Sequence, residues 1–161
     1  MPAGSTYTPI ATSTLTSAAA TFTFTSIPST YTDLIIVLNG AITSGLSSLG
    51  IQYNSNGTGY SYTRLQGNGT TASSSRATGD DAVGFVAQDS CMTTIQINNY
   101  SNSTTYKTAI SRTNSNYSSD GRTGSYVSLW QNTAAITSIR LATSSTFVAG
   151  TNFTLYGIAS A

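Results

Sequence analysis

The sequence predicts an all-β domain, and three observations carry that reading. Apolar and polar residues alternate in short runs. In Ala20–Ser26 (ATFTFTS), Phe22 and Phe24 fall on one face and Thr21, Thr23 and Thr25 on the other. Turn signals separate such runs roughly every 8–15 residues. Aromatic residues are spread along the chain (10 Tyr, 5 Phe and 1 Trp), whereas strong helix formers are scarce, with no Glu and one Lys. The expectation is about ten antiparallel strands and no significant helix, closed into a β-sandwich or barrel.

Taken in order, Thr32–Gly40 (TDLIIVLNG) is apolar on both faces and predicts a central strand covered on both sides. Pro28 marks the connection before it. Leu49–Gly67 reads as two strands about a glycine-bearing turn, a hairpin of the longer-loop kind. Asn68–Asp81 has almost no apolar content and predicts a long surface loop, and Asn114–Gly124 a second one. Between and after them, Ala82–Gln88, Cys91–Tyr100, Thr104–Thr113, Ser125–Asn132, Ala135–Thr143 and Thr151–Ala159 read as strands. In the last of these, after a turn at Gly150, Phe153 and Leu155 should face the core, with Tyr156 and Ile158 opposite. Residues 1–18 are expected to be an extended N-terminal arm and 19–161 a single sandwich domain.

Composition narrows the function. A chain of 161 residues can bury one real core. Ser and Thr supply roughly a third of it, while charged residues are only 7%, far below the quarter of an average domain. The net charge of +1, from cations scattered singly, gives no footprint for nucleic acid or membrane, and a solubility role is favoured for them. No signal peptide is visible, and the longest apolar run, Leu34–Leu38, is far short of a membrane span. A soluble protein made in a cytoplasm is expected. The single cysteine, Cys91, excludes an intramolecular disulfide and reads as a small buried residue.

Chemistry is hard to assemble from this inventory. With no His and no Glu, the general bases are five Asp and Lys107. Asp80-Asp81 is the one carboxylate pair; a hard cation such as calcium could use it, but the spacing matches no calcium motif, and solvated loop charges are the favoured reading. No nucleophilic triad, phosphate loop or cofactor motif is present. An enzyme is not expected, nor any cofactor. The sequons at Asn56, Asn68 and Asn152 are read as chance in a chain so rich in Asn and Thr. Tyr60 and Tyr62 share one face of a predicted strand and are read as sheet cover. Tyr117, with Asn114 and Asn116 in the second polar loop, is the candidate outward-facing recognition group.

Four segments, LGIQYNSNGTGYSYTRLQGNGTTASSSR, INNYSNSTTYKTAISR, SLWQNTAAITSIRLAT and FVAGTNFTLYGI, resemble in this order a family of small structural proteins of tailed bacteriophages. The resemblance spans about Leu34 to Ile158 and implies a jelly-roll-like virion component with no enzymatic role. Members sit on the head surface or on tail appendages. The expected function is a capsid-surface decoration protein, located in the virion and made in the bacterial host cytoplasm. Its partners would be the major capsid protein, other virion proteins and itself. Open strand edges and the local threefold sites of shell lattices favour a homotrimer. Tyr7, Ile10 and Leu15 in the arm are the candidate contacts with the capsid or a neighbouring copy. The alternative is a tail-fibre or baseplate adhesion module binding host-surface glycan.

Overall fold

The computed structural model describes residues 6–118 and 120–159. Twelve strands form: β1 (Tyr7–Thr14), β2 (Ala19–Phe24), β3 (Asp33–Gly40), β4 (Leu46–Tyr53), β5 (Tyr60–Gly67), β6 (Ala72–Thr78), β7 (Ala82–Ala87), β8 (Ser90–Asn98), β9 (Lys107–Tyr117), β10 (Asp120–Trp130), β11 (Ile139–Phe147) and β12 (Asn152–Ile158). Among the described residues there is no helix.

The strands make two antiparallel sheets. One has eight strands in the order β1-β12-β3-β8-β9-β10-β5-β6, the other four in the order β2-β11-β4-β7. Setting aside β5, β6, β9 and β10 leaves β1-β12-β3-β8 opposite β2-β11-β4-β7. That is the strand order of a jelly roll built from two Greek keys. The other four strands are two insertions, β5–β6 and β9–β10, that prolong the larger sheet beyond the smaller one.

The core lies between the inner faces. It holds Phe24, Leu34, Ile36, Leu38, Leu49, Ile51, Ile95, Ile97, Leu141, Phe153 and Leu155. Burying each such side chain contributes about 1.5–3 kcal/mol. Phe22 stacks on Phe153 at 4.3 Å between ring centroids, and Phe147 meets the same ring edge-on. Phe153 and Leu155 therefore face inward, as their alternation in the sequence requires, and Tyr156 and Ile158 are only half-buried on the opposite face.

Several connections differ from the sequence reading. β4 and β5 are not a hairpin: β4 pairs with β7 and β11 in the small sheet, β5 with β6 and β10 in the large one. The residues between them cross from sheet to sheet. The expected loop Asn68–Asp81 contains β6, whose Ser-rich alternation carries no hydropathic signal because most of the strand is exposed. Asn114–Gly124 is not a loop either; β9 and β10 stay paired up to Tyr117 opposite Asp120. β3 is central, but only Leu34, Ile36 and Leu38 are buried, so one face is covered rather than two. Residues 1–5 lie outside the described residues. Tyr7–Thr14, expected within the arm, pairs with β12 as an edge strand of the large sheet. Pro9 and the register shift beside it interrupt that edge, a common guard against further pairing.

β7 is buried at every position. It is the last strand of the small sheet and has a strand partner, β4, on one side only. Its carbonyls are met by side chains from the inner face of the large sheet. Ser128 Oγ donates to Ala82 O at 2.9 Å, Ser111 Oγ donates to Val83 O, and Thr113 Oγ1 donates to Phe85 O at 2.9 Å. Thr93 Oγ1 lies 2.8 Å from Thr113 Oγ1 and completes the row. Gly84 and Gly124 permit this approach. A Cβ on Gly124 would stand 2.8 Å from the Phe85 ring and 3.2 Å from Thr113 Cγ2.

These contacts make Thr113→Val a sharp test, since shape is kept while one donor is lost. A buried carbonyl left unsatisfied costs about 1–3 kcal/mol. Urea unfolding should show a loss in that range with an unchanged m-value. Gly124→Val should cost more, because the Phe85 ring must move. A Thr113→Val protein as stable as the parent would show that the hydroxyl row does not hold β7.

Candidate functional site

Buried aromatic and polar side chains gather where β4 crosses to β5 and where β9 begins. Trp130 is buried between Tyr60, stacked on it at 6.1 Å, and Tyr53 at 5.4 Å. Tyr60 Oη accepts from Tyr53 N and donates to Asn56 O, which closes the crossing from β4 to β5. Lys107, opposite Trp130 in the β9–β10 ladder, is almost fully buried. Its Nζ donates to Thr105 O at 2.8 Å and Thr133 O at 3.0 Å, tying two loops together. Tyr100 Oη donates to Pro28 O, and Ile136 N to Tyr100 O. The sequons also have a local structural job. Asn56 and Asn68, and also Asn102 in a further Asn-x-Thr stretch, each accept through Oδ1 hydrogen bonds from the backbone and hydroxyl of a Thr two residues on. These are side-chain turns fixed by the Asn-x-Thr spacing. Asn152 Oδ1 accepts from the Thr154 hydroxyl.

The carboxylates are dispersed in the same way. Asp80 Oδ1 accepts from Ala82 N, and Asp81 Oδ2 from Gln52 Nε2, whose Oε1 accepts from Arg140 Nη1. Asp33 and Asp89 accept the backbone N–H of Asn99 and Ser118. Among the described residues no three potential metal ligands group together. Cys91 is buried, and burial pushes its thiol pKa up.

The six residues expected at contact surfaces fall in two places. Ile10 and Leu15 pack on the core of their own chain, with Leu15 N bonded to Thr151 O, while Tyr7 is exposed at the start of β1. Asn114 and Asn116 are exposed at the far end of β9, and Tyr117 is half-buried at the turn into β10. Asn114 Oδ1 accepts from Met92 N, so this side chain ties β9 to β8.

Two surfaces stand out. The first is the outer face of the eight-stranded sheet. Its registers align Tyr156, Ile35, Gln96, Ile110, Val127 and Thr63 in one row and Thr154, Val37, Thr94, Arg112, Ser125 and Leu65 in the next. Ile110 is 47% exposed, Val127 52%, Leu65 63% and Met92 44%, so the described residues leave about half of each side chain open. At these strand positions only Asp33, Arg76 and Arg112 carry charge.

The second surface is a cleft of about 250 Å³ where the small sheet stops and β5–β6 runs on. Its walls come from β4 (Leu46, Ser47, Ser48), β7 (Phe85), β5, β6 and β10. Arg64 and Arg122 both line it, and no carboxylate does. Arg64 Nε donates to Ser75 Oγ at 2.7 Å, and its guanidinium lies over the Tyr62 ring. The neighbouring Tyr126 hydroxyl raises the Arg64 pKa, with a lesser contribution from the charge of Asp80. Arg122 Nε is buried with no hydrogen-bond partner. Both arginines read from sequence as isolated solubilising cations. The signal was parity: Arg64 shares the inward alternation of Tyr60 and Tyr62, and Arg122 that of Tyr126 and Trp130.

The buried phenols give a pH signature. Burial raises the pKa of Tyr53 and pushes that of Tyr60 up to about 12. Unfolded tyrosines release their protons near pH ~10. Above that pH the folded state binds more protons, so stability falls as pH rises. Lys107 acts oppositely: burial lowers its pKa, so its penalty fades as pH climbs toward the ordinary lysine value. Urea midpoints should therefore drop between pH 9 and pH 11. Tyr53→Phe should shrink that drop while leaving the midpoint at pH 7 nearly unchanged; an undiminished drop would rule out Tyr53 as a source.

Compared with protein-family models, curated proteins and solved structures, the chain matches none.

Proposed function

We propose that this chain is a structural protein of a tailed-bacteriophage virion, a decoration protein that binds the outside of the capsid as a homotrimer. The observation that carries the reading is the outer face of the large sheet. Eight strands at ~4.8 Å spacing make it roughly 34 Å wide. It presents uncovered Ile, Val, Leu and Met side chains among Thr, Asn and Gln. Contiguous apolar surface of that kind marks an interaction site on an otherwise soluble protein. With three charged positions, its contacts would be apolar and hydrogen-bonded and only weakly screened by salt. The four sequence segments that resemble phage structural proteins support the reading, and so does the fold, since jelly rolls serve in viral shells. Jelly rolls also serve as lectin domains, so the fold alone does not decide between shell and receptor binding.

The test is light scattering of the purified protein together with binding to stripped capsids. A trimer that binds capsids at both 0.1 M and 1 M salt is expected. Ile110→Lys with Val127→Glu should abolish capsid binding without changing the far-UV circular dichroism or the melting temperature. A stable monomer that ignores capsids and adheres to host cells or their lipopolysaccharide would overturn the decoration reading in favour of an adhesion module.

A further inference from the structure

The cleft beside β5–β6 contains chemistry that the outer face lacks. Arg64 on β5 and Arg122 on β10 reach into it from different strands. Arg64 pairs with Tyr126, so the two arginines enter about four strand positions apart, roughly 14 Å at Cα. Gln66 and Gly124 are paired between them; Gln66 lines the cleft, and the Phe85 ring packs against Gly124. Positive charge thus enters from both ends of a concavity that no carboxylate lines. Arg122 is half-buried: its Nε is enclosed without an acceptor among the described residues, so the guanidinium would present its terminal nitrogens to the cleft.

The rest of the lining says what kind of acceptor. Gln66 and Ser73 offer an amide and a hydroxyl, which both donate and accept and so match hydroxyls on a ligand, while the Ser47 hydroxyl is already bonded to Thr143 and Ser144. Phe85 and Leu46 give an apolar patch suited to the C–H face of a sugar ring. A volume of about 250 Å³ suits one ring rather than a chain. A lone sulfate or phosphate would satisfy the charge but leave the apolar patch and most of the hydroxyls unused.

From these features we infer that the cleft is a binding site for one acidic monosaccharide unit, its carboxylate held by Arg122 and Arg64 and its ring lying against Phe85. The site is separate from the outer face of the large sheet, and neither depends on the other. Because it stands on β5, β6 and β10, it belongs to the strands inserted into the jelly roll.

The experiment is titration of the full chain with glucuronic acid, glucose, N-acetylneuraminic acid and sodium sulfate, followed by NMR amide shifts. At least one of the two acidic sugars should bind in the millimolar range and move the amides of Gln66, Ser73 and Phe85. Glucose should bind at least tenfold more weakly. Arg122→Gln and Arg64→Gln should each weaken the acidic sugar at least tenfold, while Arg122→Lys retains part of the affinity. Should Arg64→Gln disturb the fold, Ser73→Trp on the exposed strand β6 blocks the cleft instead, and it should abolish binding with the melting temperature preserved. Sulfate competing as well as the acidic sugar binds would overturn the saccharide assignment. No response to either acidic sugar, or equal binding of glucose, would overturn the site. Capsid binding by Arg122→Gln should match the parent, so failure here is distinguishable from failure of the decoration role.

Discussion

The structure depends on the way β7 is held. A four-stranded sheet packed on an eight-stranded one must stop somewhere, and where it stops a strand has backbone groups with no strand to pair with. Here that strand is buried throughout, so water cannot satisfy them. Ser111, Thr113 and Ser128 supply hydroxyls in place of a fifth strand. This explains why the inner face of β9 and β10, which an ordinary sandwich would fill with aliphatic side chains, is polar at those positions. It also explains Gly84 and Gly124: the row of hydroxyls reaches β7 only if the two sheets approach closely. The high Ser and Thr content therefore reaches into the core as well as covering the surface.

Because β7 is sealed by side chains, the large sheet is free to continue past it. The inserted strands do two things at once. On the outside they widen the jelly-roll face from four strands to eight, producing the broad surface with Ile110, Val127 and Leu65 exposed. On the inside β9 and β10 pack on β7, and β5–β6 overhang the edge of the small sheet beyond it. There the alternation that buries Tyr60 and Tyr126 goes on to place Arg64 and Arg122 over the rim of β4 and β7. The interaction surface and the cleft are two sides of the same extension.

Much of the fold was legible. The alternation in β2 and the aromatic last strand gave the right faces, since a half-buried strand writes its burial into the sequence with period two, whereas the apolar run of β3 marked a central strand but is covered on one face only. What failed were segments where burial and hydropathy part company. β6 is exposed, so ASSSRAT has nothing to alternate with. The far end of β9 alternates Thr or Ser with Asn, and that of β10 reads Asp-Gly-Arg-Thr-Gly; both are polar throughout and look like loop. The β4–β5 pair shows the other limit. Two strands joined by a glycine-bearing turn read as a hairpin, but Tyr53 and Tyr60 both point into the core between the sheets and meet around Trp130. Only that tertiary contact shows that the connection crosses the sandwich. The cleft was illegible for a similar reason. Its two arginines are 58 positions apart in a chain with few charges, and nothing local joins them.

The residues buried at one end of the sandwich do a different job from those on its surfaces. Tyr53, Tyr60, Tyr100, Lys107, Trp130 and Ile136 are buried, and they hold the two crossings and the loops at one end of the sandwich. Lys107 is the clearest case, a cation with two carbonyls as its acceptors, positioned to join loops rather than to meet a partner. The surfaces through which the protein would act are made of other residues: Ile110, Val127 and Leu65 outside, Arg64 and Arg122 within. In sequence these surface residues are interleaved with the buried ones: Arg64 and Leu65 follow Tyr60, Ile110 follows Lys107, and Arg122 and Val127 precede Trp130. The scaffold and the sites are thus only partly coupled in sequence. A chain could keep the jelly roll, its β7 seal and its buried lysine while changing what its wide face and its cleft recognise.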